Sequence, residues 1–261
     1  MVHVFRFFLP VGQPVAIEQT VTLASEDARR LHKVLRLGAG ESVEVADGRG
    51  AVFGAMVIDP KTGTLHVTSE LPEQASLAPI RVLIAQSGPR ADHAVEKLVE
   101  LGVGEIGPLL ASSRRREART DRWERIAASA AAQAKLAMIP RILEPVAFLT
   151  ALQDPATILC SHQQDNTALA DAVARSGRPI TLLIGPEAGF SSDELAAARA
   201  ADVPIVRFGS TVLRTETAAI VAAAVVREWL SESAELRAGE VVTVRGTGML
   251  GQRRNDGRVD V

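Results

Sequence analysis

The chain opens with short apolar runs separated by turn residues. "HVFRFFL", "SVEVADG", "AVFGAMVI" and "TLHVTSEL" each read as a strand, and Asp47-Gly48 at the end of the second run marks a hairpin. One stretch of longer period interrupts them. In "SEDARRLHKVLRLG", Ala28, Leu31, Val34 and Leu35 fall on one helical face, and Gly38 is placed to end the helix. Residues 1–71 are therefore expected to form a small β-rich domain, a barrel. "PEQASLAP", residues 72–79, carries neither period and reads as a linker.

The texture then changes. "IRVLIAQ", "VGEIGPLLA", "ATILCS", "ITLLIG" and "VPIVRFG" are apolar runs of buried-strand type. Helical patterns alternate with them. "ADHAVEKLVELG" places Val95, Leu98 and Val99 on one side, with Gly102 as its stop. "DRWERIAASAAAQAKLAM" carries a stripe of Trp123, Ile126, Ala127, Ala130 and Ala134, ended before Pro140. Alternation of this kind predicts an α/β domain with a mostly parallel sheet over residues 80–233. Residues 234–261, rich in Gly and charge, are expected to form a flexible tail.

Composition narrows the function. A net charge of −2 does not advertise a polyanion partner, so any basic site must be local. Aromatics make up 3% with no Tyr, which argues against recognition built mainly on stacking. The single cysteine, Cys160, excludes an internal disulfide and a cysteine-based zinc cluster; it ends an apolar run and reads as a buried thiol. No metal site is expected. "MVHVFRFFLP" is too short, and too broken by Arg6 and Pro10, to read as a signal peptide. No apolar stretch reaches membrane-spanning length. The expectation is a cytoplasmic protein with no membrane partner.

Candidate chemistry sits in two loops, "LIGPEAGFSSDEL" (183–195) and "VLRTETAAIVAAAV" (212–225), each following a buried strand and opening a helix. Ligands of parallel α/β folds bind beyond the carboxyl ends of strands. Gly185 and Gly189 allow close backbone approach, Pro186 stiffens the turn, and Ser191 and Glu194 have capping-box spacing. Gly209 opens the second loop, and Thr215 is placed to cap the helix after it. Neither loop is a Walker A or a GxGxxG fingerprint. Glu187 and Glu216 suit a ligand with a positive centre and a purine, such as S-adenosylmethionine; the alternative is that both simply cap and orient helix starts.

Together, "LLIGPEAGFSSDE" and "FGSTVLRTETA" resemble the paired signature of the SPOUT-class methyltransferases that methylate uracil N3 in 16S ribosomal RNA. The resemblance covers about residues 1–232 and extends to "FRFFL", "LHKVLRLGAGESVEVADG", "EKLVELGV" and "RWERIAASAAAQ". It implies an N-terminal PUA-like RNA-binding β-barrel and a C-terminal α/β trefoil-knot domain. It further implies S-adenosylmethionine as methyl donor, the small ribosomal subunit as partner, and a homodimer. Carried over by residue, the donor site comprises Cys160, His162, Ile184, Gly185, Pro186, Glu187, Gly189, Phe208, Gly209, Val212, Leu213, Thr215 and Glu216. Arg214 is the expected catalytic residue, hydrogen-bonding a uracil oxygen as N3 loses its proton. Three departures stand out. Ala188 replaces a second Gly, Leu136 replaces an Arg whose charge Lys135 is then expected to supply to catalysis, and Asp92 stands for a Glu.

RNA contacts are expected from Arg6, His32 and Arg36, the last two spaced i, i+4 on one helix face, and from Arg114, Arg115 and Arg116. The arginine run also reads as a solvated face partnered by Glu117, Asp121 and Glu124. Two other functions are weighed. Ribose 2′-O methylation by a related enzyme is disfavoured, because "LRTETA" stands where those enzymes carry an Asn-containing motif. A non-catalytic RNA-binding or ribosome-assembly protein on the same fold is kept open by Ala188 and Leu136.

Overall fold

The structure is a computed structural model; it describes residues 4–72, 76–85, 88–111, 120–162, 167–208 and 210–245, with 232–245 as backbone only. Two sheets organise it. The first has five strands, β1 (Arg6–Phe8), β2 (Thr20–Thr22), β3 (Ser42–Ala46), β4 (Val52–Asp59) and β5 (Thr64–Glu70), in the order β1-β3-β4-β5-β2. Register shifts at Gly54/Ala55 and Val57/Asp59 bend β4, and the sheet curls into a half-barrel. The expected β-barrel domain takes this curled form, with β1 and β2 at the two ends of the strand order among the described residues. Period-two alternation fills its core with Phe7, Val21, Val43, Val45, Leu65 and Val67.

The helical stretch differs from its sequence pattern. It begins as α1 (Ser25–Arg29) and widens into a π turn at Arg30–Val34. The extra residue per turn swings Val34 out to 70% exposure, while Ala28 and Leu31 stay buried. Arg36 lies past the turn at φ 56°, so it does not share an α-helical face with His32 as expected.

The second sheet contains β6 (Ala78–Ile84), β7 (Val103–Leu110), β8 (Arg141–Ile142), β10 (Thr157–Cys160), β11 (Ile180–Ile184) and β12 (Ile205–Val206), ordered β12-β10-β11-β6-β7-β8 with every pair parallel; β9 (Val146–Ala147) pairs with β7. Strand β6 starts inside the expected linker. Its helices are α2 (Pro89–Glu100), α3 (Thr120–Gln133), α4 (Phe148–Ala151), α5 (Leu169–Arg175), α6 (Ser192–Ala200) and α7 (Thr215–Arg245). Buried faces on α2 (Val95, Leu98, Val99) and α3 (Trp123, Ala127, Ala130) follow the predicted stripes. Helix α7 runs to Arg245, so residues 234–245 of the expected tail are helical; residues 246–261 lie outside the described residues.

The two sheets meet through side chains that leave opposite faces of β1. Phe7 points into the half-barrel core, whereas Phe8, with Ala46 and Val52, joins the core under the second sheet. Arg6 leaves on the same side as Phe8 and is 4% exposed. Its Nε donates to Glu44 Oε2 at 3.0 Å, and its NH1 donates to the Lys135 carbonyl across the junction at 2.5 Å. That carbonyl is presented by the end of α3. Lys135 adopts φ 55°, and Leu136 N–H reaches back to Ala131 O at 2.9 Å, a Schellman-type stop with Lys where Gly is usual.

Candidate functional site

Strand register brings three loops to one level. Cys160 lies opposite Ile184 across β10–β11 and opposite Val206 across β10–β12. The chain therefore leaves the sheet at three neighbouring points along one edge. A cavity of about 380 Å³ lies there, within the size range of small-molecule sites. Cys160, Ser161 and His162 line it after β10, and Ile184, Gly185, Pro186, Glu187, Gly189 and Phe190 line it after β11. Arg207, Phe208, Thr211, Val212, Leu213, Arg214, Thr215 and Ala218 close it from the approach to α7, and Arg90 from the start of α2.

Local physics explains how the first loop is held. Gly189 sits at φ 77°, its N–H donating to Pro186 O at 2.8 Å to close the turn. A Cβ on Gly189 would stand 3.1 Å from His162 Cε1, and one on Gly185 would stand 2.9 Å from the Phe190 ring. Phe190 is buried and packs on Phe148 with ring centroids 5.4 Å apart. The capping box of Ser191 and Glu194 starts α6. Ala188 is exposed and is not among the residues with positive φ, so its methyl group is accommodated without backbone strain.

The second loop is tied to the first. Thr215 Oγ1 donates to Gly185 O at 3.0 Å, and Thr215 is 4% exposed. This corrects its expected capping role: Ala218 N–H bonds to Arg214 O at 2.8 Å, so Arg214 occupies the cap position and Thr215 the first helical turn. Arg214 is exposed and lines the cavity.

The charges are arranged differently from the sequence reading. Glu187 lines the cavity but forms an ion pair with Arg90, both side chains about half exposed. Glu216 does not line the cavity, and its Oε2 is buried without a hydrogen-bond partner among the described residues. Burial pushes the Cys160 thiol well above its ordinary range, which keeps it a neutral wall rather than a nucleophile.

Other expected residues lie elsewhere. Lys135, expected in the catalytic set, does not line the cavity; its Nζ is 3.6 Å from Glu44 at the junction of the two sheets. Arg6 is buried in that junction rather than offered to RNA. Leu136 packs against the core of the second sheet, and Asp92 pairs with Arg122 at 2.7 Å, joining α2 to α3. Gly209, Arg114, Arg115 and Arg116 lie outside the described residues. Arg90, Phe190, Arg207, Thr211 and Ala218 line the cavity without having been singled out by sequence. Phe190 was within reach of sequence, being the apolar residue after Gly189. Arg90 and Arg207 were not, since only the strand order brings them together.

A parallel α/β sheet opening a cavity at three adjacent strand ends, beside a curled β-sheet, is the architecture of the SPOUT-class RNA methyltransferases. The RNA methyltransferase domain family matches residues 76–227. Ribosomal RNA small subunit methyltransferase E of Synechocystis is 31% identical over 234 residues, covering 85% of this chain and 77% of its own. The Mycobacterium bovis protein of the same name is 30% identical over 208 residues, covering 72% and 79%. The crystal structure of a Neisseria gonorrhoeae ribosomal RNA small subunit methyltransferase E bound to S-adenosyl methionine superposes with a TM-score of 0.77 at 29% identity, covering 87% of this chain and 98% of that one. The chain belongs to the ribosomal RNA small subunit methyltransferase E family.

Proposed function

We propose that this protein uses S-adenosylmethionine to methylate N3 of a uridine in 16S ribosomal RNA, acting in the cytoplasm as a homodimer on the small ribosomal subunit. The observation that carries the reading is the convergence of the ends of β10, β11 and β12 on one cavity with Arg214 exposed at it. Family membership and the donor bound by the Neisseria relative support the same choice of cofactor.

The residues present suit that donor. Gly185 and Gly189 let backbone approach it, and Ile184, Phe208 and Leu213 offer apolar wall for a purine. Bound there, S-adenosylmethionine supplies an electrophilic methyl group on sulfur. The protein's share is positioning and charge stabilisation. N3 of uracil gives its proton to hydroxide from solvent, which leaves negative charge spread onto the ring oxygens. The Arg214 guanidinium hydrogen-bonds one of those oxygens and so stabilises the anion that N3 becomes. Reaching the cavity requires the base to be turned out of its stack.

Arg114, Arg115 and Arg116 serve in this reading as phosphate contacts that position RNA without reading its bases.

The test is mass mapping of methylated nucleosides in ribosomal RNA from cells with and without the protein. One 3-methyluridine lost from small-subunit RNA on deletion, and restored by the wild-type chain but not by Arg214→Ala, is the expected result. An unchanged nucleoside pattern contradicts the proposal.

A further inference from the structure

Three guanidinium groups from separate elements line the same cavity. Arg90 comes from the start of α2, Arg207 directly follows β12, and Arg214 caps α7. Among the described residues Glu187 is the one carboxylate in that wall, and it is engaged by Arg90. Arg207 is exposed, and no hydrogen bond or ion pair holds it among the described residues. With Arg90 paired to Glu187, Arg207 and Arg214 are the two cations left at the cavity with no carboxylate against them among the described residues, and like charges so placed are stabilised when an anion arrives. The methyl donor is a poor candidate for that anion, because it brings its own sulfonium and amino cations beside its single carboxylate. A polyanion satisfies the charge count.

Strand order gives these arginines a spacing. In the row β12-β10-β11-β6, Arg207 follows the first strand and Arg90 the connection after the last. Three strand spacings separate those strands, roughly 14 Å, with the cavity between them. We propose that Arg207 grips a phosphate on one side of the everted nucleotide and Arg90, exchanging Glu187 for a phosphate, grips the strand on the other, leaving Arg214 to the base. This rests on the RNA substrate proposed above and adds the residues that hold its backbone at the cavity. The division of labour follows from chemistry. A phosphate accepts a point charge from Arg or Lys, whereas a uracil oxygen held during deprotonation needs a fixed donor.

The experiment measures Arg207→Ala and Arg207→Lys in the full chain. Each is assayed for binding to a small-subunit ribosomal RNA fragment at several salt concentrations, for S-adenosylmethionine affinity by calorimetry, and for kcat and KM of methyl transfer to that fragment. Arg207→Ala should weaken RNA binding by about three- to tenfold and lower the log–log salt slope by about 0.7. KM for RNA should rise with kcat held within about twofold, the signature of lost uniform binding. Donor affinity should match the parent, and Arg207→Lys should recover most of the RNA affinity. Unchanged RNA affinity and slope overturn the grip. Lost donor affinity with unchanged RNA binding also overturns it, and assigns Arg207 to the donor's carboxylate. A parent that binds the fragment but transfers no methyl group to it contradicts the methylation reading, while the salt slopes still decide the grip.

Discussion

Thr215 hydrogen-bonds the carbonyl of Gly185, joining the first turn of α7 to the end of β11 at 3.0 Å. The two loops of the cavity are thereby one unit, although thirty residues separate the bonded pair in sequence. Thr215→Val keeps the shape and removes the donor, leaving a part-buried carbonyl unsatisfied. Stability should fall by about 1–2 kcal/mol, and S-adenosylmethionine affinity should fall with it because the loops lose their register. Denaturant melts and calorimetry on one preparation check this; unaltered donor affinity would mean that the loops are held by other contacts.

Gly189 is predicted to tolerate no branched side chain. Its φ of 77° disfavours any Cβ, and His162 Cε1 would lie 3.1 Å from one. Gly189→Val should abolish donor binding while the far-ultraviolet circular dichroism stays that of the parent, since Gly189 lies in the turn between β11 and α6 and belongs to neither element. Donor binding at parental strength would dissociate this loop from the donor.

Arg214→Ala should slow single-turnover methyl transfer by about 100-fold, the scale seen when one hydrogen-bond donor to a developing anion is removed. Its effect on donor affinity should be much smaller. Equal transfer rates would take Arg214 out of catalysis.

Arg6 is predicted to act through stability. It is 4% exposed and bridges Glu44 to the Lys135 carbonyl. Arg6→Ala strands part of the Glu44 charge and should cost about 3 kcal/mol in unfolding free energy. RNA binding measured well below the melting temperature should change little. Weakened RNA binding at parental stability would return Arg6 to the RNA surface.

Sequence revealed what local pattern controls. Strands β10 and β11 are near-continuous apolar runs because helices or loops cover both faces of the parallel sheet. The stripe of Trp123, Ala127 and Ala130 marks the buried side of α3. The loop glycines were legible because tight turns need them. Events that depend on partners far along the chain were not legible. The pairing of Arg90 with Glu187 and of Arg6 with the Lys135 carbonyl spans 97 and 129 residues. The π turn at Arg30–Val34 breaks the 3.6-residue count on which the alignment of Val34, and of His32 with Arg36, depended. Helix α7 runs past the expected boundary because the Glu, Ala, Leu and Arg of "SAELRAGE" favour helix, and one interior Gly costs only about 1 kcal/mol against Ala.

The central claim is tested most directly with purified protein, labelled S-adenosylmethionine and small-subunit ribosomal RNA, followed by digestion to nucleosides and mass analysis. The label should appear in 3-methyluridine, at one equivalent per RNA, and should vanish with Gly189→Val. Label in a 2′-O-methylated nucleoside, or no label despite donor binding, would contradict the account.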